Sequence, residues 1–278
     1  MTPVLSTHLF VRHRLTTVWL ERAWNAGFPA VEIFCTRQHI DYRDKAQITE
    51  LGHWFRDSDL KVHSLHSPMF SDDGWGRSGP HTVIDITERT KAKRIAMVGE
   101  IKRALEIADL VPFKYLIQHL GVKGQEYDDW RLEAAFSSLE EIKVFAGQRG
   151  VEVLLENTPN KMSSGERLNL FLQETHLNLN YCFDAGHAHM AHGIENEFAA
   201  MKDRIRSVHL HDNNGSEDSH LFPGEGTIDW NKTMALLRSC RSGCPLLLEL
   251  AEPENMPHPI EEAKRVADRL STIQPPEQ

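Results

Sequence analysis

Short apolar runs rich in β-branched residues alternate with longer helical stretches along this chain, and that alternation restricts the fold more than any other feature. Strand patterns fall at 3–9, 30–35, 60–66, 113–120, 151–156, 177–184, 205–211 and 245–250. Helical patterns fill the intervals near 14–26, 44–57, 83–109, 127–149, 164–175, 189–202, 229–240 and 259–271. The clearest is 83–109, where Ile95, Val98, Ile101, Leu105 and Ala108 recur at helical spacing and basic residues take the other face. Eight strand–helix units in 278 residues predict an α/β fold, a single (β/α)8 barrel over 1–273 with a flexible polar tail at 274–278. A doubly wound sheet has the same periodicity, but no glycine-rich GxGxxG follows the first strand.

Composition narrows the function classes. An apolar fraction of 40% and a charged fraction of 26% suit an ordinary globular enzyme. A net charge of −9 argues against a duplex nucleic-acid partner, which needs a basic surface. The four cysteines include no CxxC pair, and Cys35 and Cys182 sit in apolar runs that predict buried, reduced thiols. The start MTPVLSTHLF lacks the basic and apolar regions of an export signal. No apolar run is long enough to span a bilayer, so the expectation is a cytoplasmic protein with no membrane partner.

Six of the strand patterns end on, or next to, a residue that can bind a metal: KVHSLH, YLIQH, VEVLLE, LNYCFD, SVH and LLLE. With three neighbours the donors are His66, His119, Glu156, Asp184, His187, His209, Asp218, His220 and Glu249. Alternate side chains on a strand share a face, so Glu156 aligns with Leu154, Asp184 with Cys182, and Glu249 with Leu247. His209 and His211 share a face as well, so either could reach a metal. A carboxylate ending a leucine-rich strand is costly to bury without a cation or hydrogen bonds. A single such residue is usually a salt-bridge partner or a satisfied core group. Six at the same end of successive strands predict convergence on a divalent cation at the barrel mouth. Glu156, Asp184, His209 and Glu249 form a mixed oxygen–nitrogen shell suited to Mn2+, Mg2+, Co2+ or Zn2+. Two long segments, 67–82 and 212–229, follow strand ends on the side where a barrel builds its site.

The segments SLHSP, LIQHLG, LLENTPN, FDAGHAHMAHG, VHLHDNNGSEDSHLFPGEGTIDW and LLLEL resemble the xylose isomerase-like, or family 2 AP endonuclease, TIM-barrel superfamily. The likeness runs from Leu5 to about Leu270, and the string from His209 to Trp230 is its most specific part. One branch, similar to ketose epimerases, implies a single metal held by Glu156, Asp184, His209 and Glu249. There Glu156 and Glu249 act as acid–base pair on a sugar through a metal-stabilised enediolate. The endonuclease IV-like branch implies three zinc ions on all nine donors and a hydrolytic, phosphate-directed site. This sequence departs from that branch in three places. It reads HLHD where the branch has HLND, Asp218-Ser219-His220 where it has Asp-Arg-His, and Met69 where it has tyrosine. The 67–82 segment also offers only Arg77, beside Asp72 and Asp73, for gripping phosphates.

The expected activity is therefore metal-dependent isomerisation or epimerisation of a small sugar, with phosphodiester cleavage and metal-dependent lyase or hydrolase chemistry as alternatives. The resemblance also implies pairs or tetramers of the chain. His66, His119, His187, Asp218 and His220 remain candidates for further metals or for substrate. Glu32, His8 and His211 are candidate substrate contacts, Trp75 and Trp54 candidate pocket walls, and His189, His192 and again His211 candidate partners of ligand carboxylates.

Overall fold

A computed structural model describes residues 1–240 and 243–273, so the expected tail at 274–278 lies outside the described residues. Eight parallel strands run in the order β7-β6-β5-β4-β3-β2-β1-β8. They are β1 (Pro3–Ser6), β2 (Ala30–Phe34), β3 (Lys61–His66), β4 (Tyr115–His119), β5 (Glu152–Glu156), β6 (Asn180–Asp184), β7 (Ile205–His209) and β8 (Leu246–Leu248). A parallel bridge from Leu210 to Leu248 joins β7 to β8, and the sheet closes as a (β/α)8 barrel.

The helices that alternate with these strands are α1 (Thr17–Asn25), α2 (Lys45–Asp57), α3 (Lys91–Leu105), α4 (Asp129–Gly147), α5 (Gly165–Glu174), α6 (Ala185–Met190), α7 (Ile194–Met201), α8 (Trp230–Arg238) and α9 (Pro259–Thr272). Several start on a side-chain cap that satisfies otherwise orphaned amides. Asp44, Asp128, Ser164 and Asp229 accept from the first turns of α2, α4, α5 and α8.

Two helical expectations change in the structure. The pattern at 83–109 begins as a helix only at Lys91, because residues 82–84 pair with the preceding segment instead. Ser71 N donates to Thr82 O (2.8 Å) and Ile84 N to Met69 O (2.8 Å). Within α3, Val98, Ile101 and Leu105 are buried, whereas Ile95 is 59% exposed and lies off the buried face. The pattern at 189–202 is two helices, α6 and α7, separated at Gly193, whose φ of 89° no β-carbon-bearing residue adopts cheaply.

The main core lies between the sheet and its helices. A second, small cluster of Tyr115, Ile117, Leu154 and Cys182 fills the barrel itself. Ile117, Leu154 and Cys182 each lie two residues before the last residue of β4, β5 and β6. By strand alternation the next inward side chains are therefore His119, Glu156 and Asp184.

Candidate metal centre

Parallel register sets the height of the donors. His119 pairs with Glu156, and Asp184 with His209, while Glu156 pairs with Cys182, so the second pair is offset from the first by two residues along the strands at the barrel mouth. His66 ends β3 and Glu249 follows β8 directly. Asp184 also caps α6, its Oδ1 accepting from His187 N (2.6 Å), which places the His187 ring beside the strand ends. All nine donors read from the sequence meet here.

Glu156 is the hub. It is fully buried, with His119 Nε2 at 3.2 Å and His66 Nε2 at 3.8 Å from Oε2, and His187 Nδ1 at 3.2 Å and His209 Nδ1 at 3.3 Å from Oε1. Yet neither oxygen of Glu156 completes a hydrogen bond, and the same is true of Glu249 Oε1, Asp218 Oδ1 and His209 Nδ1. Buried acceptors left unpaired are rare because each forfeits its hydration. Donor atoms of Glu156, Asp184, His209 and Glu249 lie within 4.8 Å of one another, and so do those of His66, His119 and Glu156, of Asp184, His187 and His211, and of His211, Asp218 and His220. Unpaired carboxylate oxygens and imidazole nitrogens gathered so closely fit divalent cations.

The imidazoles are oriented by backbone carbonyls, which only accept. His66 Nδ1 donates to Ser67 O, His187 Nδ1 to Asn157 O and His220 Nδ1 to Glu249 O, at 2.9, 3.0 and 2.9 Å. Each Nε2 is thereby freed to face the cluster. His209 is held the other way round. Its Nε2 meets Glu32 Oε2 at 3.1 Å, and Ser64 Oγ donates to the same oxygen at 2.6 Å, which turns Nδ1 toward Glu156 and Glu249.

The string DNNGSEDSHLFPGEGTIDW is organised by one buried carboxylate. Asp212 accepts from Asn213 N (2.9 Å), Gly224 N (2.8 Å), Ile228 N (3.2 Å) and Trp230 Nε1 (2.8 Å). A β-carbon at Gly226 would overlap the Asp212 carboxylate and the Asn213 carbonyl, so the loop closes only around glycine there. Asp218 and His220 project from this loop, 3.4 Å apart, and Asp218 Oδ2 also lies 3.2 Å from His187 Nε2. His220 holds a left-handed φ of 47°, fixed by its carbonyl accepting from Ala251 N (2.9 Å).

The protonation pattern is uneven. Burial drives the Glu249 carboxyl up to about 8. Burial opposes ionisation of Glu156 too, but His209 and His119 outweigh it and hold the group well below the usual carboxylate range. Burial works against charge on His220 and is overcome by Asp218, which lifts the ring to about 9. His66 goes the other way, to about 4, because burial and the neighbouring His119 both disfavour a cation.

Several other expected residues lie elsewhere. Glu32 was a candidate substrate contact, but it is fully buried beneath His209 and serves as that ring's hydrogen-bond partner. His211 is likewise fully buried, its Nε2 3.2 Å from Asp184, so it belongs to the donor cluster rather than to an open wall. His8 does line the cavity; its Nδ1 donates to Leu250 O (2.9 Å), and Trp75 stands edge-on at 5.9 Å. Trp54 is on α2, packed against Phe55. His189 reaches Thr227 Oγ1 (2.9 Å) and His192 reaches Glu197 (2.7 Å), so neither supports a donor carboxylate. Reading the sequence missed Phe34 and Met69, which wall a hollow of about 320 Å³ above the cluster. It also missed Asn157, which ties β5 to β6 by accepting from Asp184 N (2.8 Å) and donating to Asp184 O (2.9 Å). The available signal was a polar residue directly after the buried strand-end Glu156.

The xylose isomerase-like TIM barrel family matches residues 20–272. An uncharacterized protein of Methanocaldococcus jannaschii, MJ1614, is 29% identical over 175 residues, which cover 62% of this chain and 64% of that protein. This chain thus aligns with slightly under two thirds of that relative. A D-tagatose 3-epimerase-like protein superposes with a TM-score of 0.79 at 24% identity, covering 98% of both chains. The IOLI protein, solved with a binding zinc atom, gives 0.78 at 18% identity, covering 98% of this chain and 96% of that one. At such identities the likeness is one of fold. With the family match spanning nearly the whole barrel, this chain belongs to the xylose isomerase-like TIM barrel family.

Proposed function

We propose that the protein is a divalent-metal-dependent isomerase or epimerase acting on a small sugar. The observation that carries this reading is the four-donor group of Glu156, Asp184, His209 and Glu249, of which Glu156 and Glu249 line a hollow of about 320 Å³, a size suited to a small molecule. A divalent ion held by these residues supplies Lewis acidity, polarising a carbonyl and stabilising the negative charge that develops beside it. The remaining chemistry belongs to side chains. Glu156 accepts a carbon-bound proton, and Glu249, whose donor oxygen lies within 4.8 Å of that of Glu156, returns one. His8, Phe34 and Trp75 close the hollow and keep water from the reacting carbon. Likeness in fold to a D-tagatose 3-epimerase-like protein and to a zinc-bound protein supports the same reading.

A second reading, multinuclear phosphodiester hydrolysis, is favoured by the flanking groups His66–His119–Glu156 and His211–Asp218–His220. Against it, Arg77 is the one arginine or lysine of the 67–82 segment, and its Nε donates to Gly74 O (2.9 Å). Tritium wash-out from a panel of ketoses tests the first reading. Glu156→Gln and Glu249→Gln should each abolish exchange while the protein stays folded; exchange that survives both changes ends the proposal. Nicking of an abasic plasmid, with three bound metal equivalents by elemental analysis, would establish the second.

A further inference from the structure

A second hollow of about 400 Å³ opens beside the donor cluster. The two spaces share Met69, His119, His187 and Asp218, so they adjoin along these side chains. Their chemistry is different. Pro68, Phe70, Val83, Ile84, Val122 and Pro159 wall most of the second hollow, Ser67, Gln118 and Thr158 give it a polar edge, and three of its four ionisable groups stand on the shared boundary. The fourth, Lys123, is exposed.

This apolar wall is a built feature. Phe70 and Val83 face each other in an antiparallel bridge, and the bonds from Ser71 N to Thr82 O and from Ile84 N to Met69 O clamp the segments on either side. The residues that leave the expected helix at 83–109 are therefore the ones that make the wall.

We propose that this hollow is a subsite for an apolar substituent, an aromatic ring or short alkyl chain, attached to the polar group that reacts at the cluster. The inference rests on the donor cluster being where the reacting group is held. Hydroxyls placed against Val83, Ile84 and Val122 would lose water without gaining partners, whereas an apolar group there releases ordered water. The second hollow is at least as large as the first, so the substituent can be about as bulky as the sugar. A free hexose leaves it unfilled. The substrate class is thus an amphipathic sugar derivative that carries an apolar substituent.

Two hydroxamates that differ only beyond their chelating head test this without knowledge of the sugar. Zinc-loaded protein should bind benzohydroxamate at least about tenfold more tightly than acetohydroxamate, since an apolar pocket discriminates by roughly that factor for even a small group. Val122→Asp and, separately, Val83→Gln should bring the ratio close to one, with circular dichroism confirming that each variant is folded. Equal affinity for the two probes in the wild type overturns the subsite and leaves the metal reading intact. Methyl resonances of Val83, Ile84 and Val122 in metal-free protein provide an arm independent of metal. Shifts of these signals on adding benzyl alcohol support the subsite even if zinc fails to bind, and unchanged signals overturn it.

Discussion

Glu249 and Glu32 show how two buried acids beneath the same barrel mouth acquire opposite characters. Glu249 has no cation strong enough to offset burial, and its carboxyl rises to about 8 from an ordinary 4.5. A group raised in the folded state contributes stability that is complete below its unfolded value and is lost as pH climbs through the folded one. Metal-free protein should therefore lose on the order of a few kcal/mol between about pH 4.5 and 8 through this residue. Urea unfolding at pH 5 and pH 8 should show Glu249→Gln losing distinctly less stability than wild type over that window; parallel losses would refute the assignment. Glu32 is instead drawn below its usual range, burial being outweighed by His209. Its task is orientation of that ring, as in other carboxylate–histidine pairs behind metal ligands. Glu32→Gln should weaken zinc binding roughly 10–100-fold, measured by chelator competition, with the fold retained. The residue types at these positions were readable in the sequence. That Glu32 lies under His209 and not in the cavity was not, because strand parity gives a face and no depth.

At the scale of elements, the loop after β7 carries as much of the site as any strand. Asp212 is fully buried and gathers three backbone amides and the Trp230 indole, which holds Asp218 and His220 against the strand ends. Asp212→Ala leaves those donors without an acceptor and should cost about 2–4 kcal/mol in urea unfolding, with zinc affinity falling in parallel. A variant of unchanged stability and affinity would show that the loop is held by other means. Strand positions were legible because buried parallel strands are short apolar runs with sharp ends. Residues 83–90 were misread as helix because an amphipathic pattern does not reveal that the preceding loop will pair with it. The break between α6 and α7 was signalled by Gly193, but a lone glycine weighs little against continuous helical spacing.

Across the whole molecule, nine donors from six strand ends, one short helix and one loop are pressed together, and several of their buried atoms have no hydrogen-bond partner. Cation binding should then be coupled to folding, because ligands that repel or lack partners in the metal-free state are satisfied in the bound state. Zinc at a hundredfold excess over its dissociation constant should raise Tm by roughly 5–10 °C. The rise should be larger at pH 8 than at pH 5, since His187, His209 and Glu249 are all shifted upward and must shed protons to bind. Calorimetry with and without a chelator checks both statements, and a Tm insensitive to zinc at either pH contradicts them.

The order of residues by itself determined the repeating strand–helix unit and the identity of the donors, since periodicity and burial cost are local properties. Tertiary structure alone decided which imidazole nitrogen faces inward, which acid lies beneath another, and that an apolar hollow adjoins a charged floor. Those outcomes depend on distances between strands far apart in the chain, and these are set only when the sheet curls shut and its loops pack across the rim.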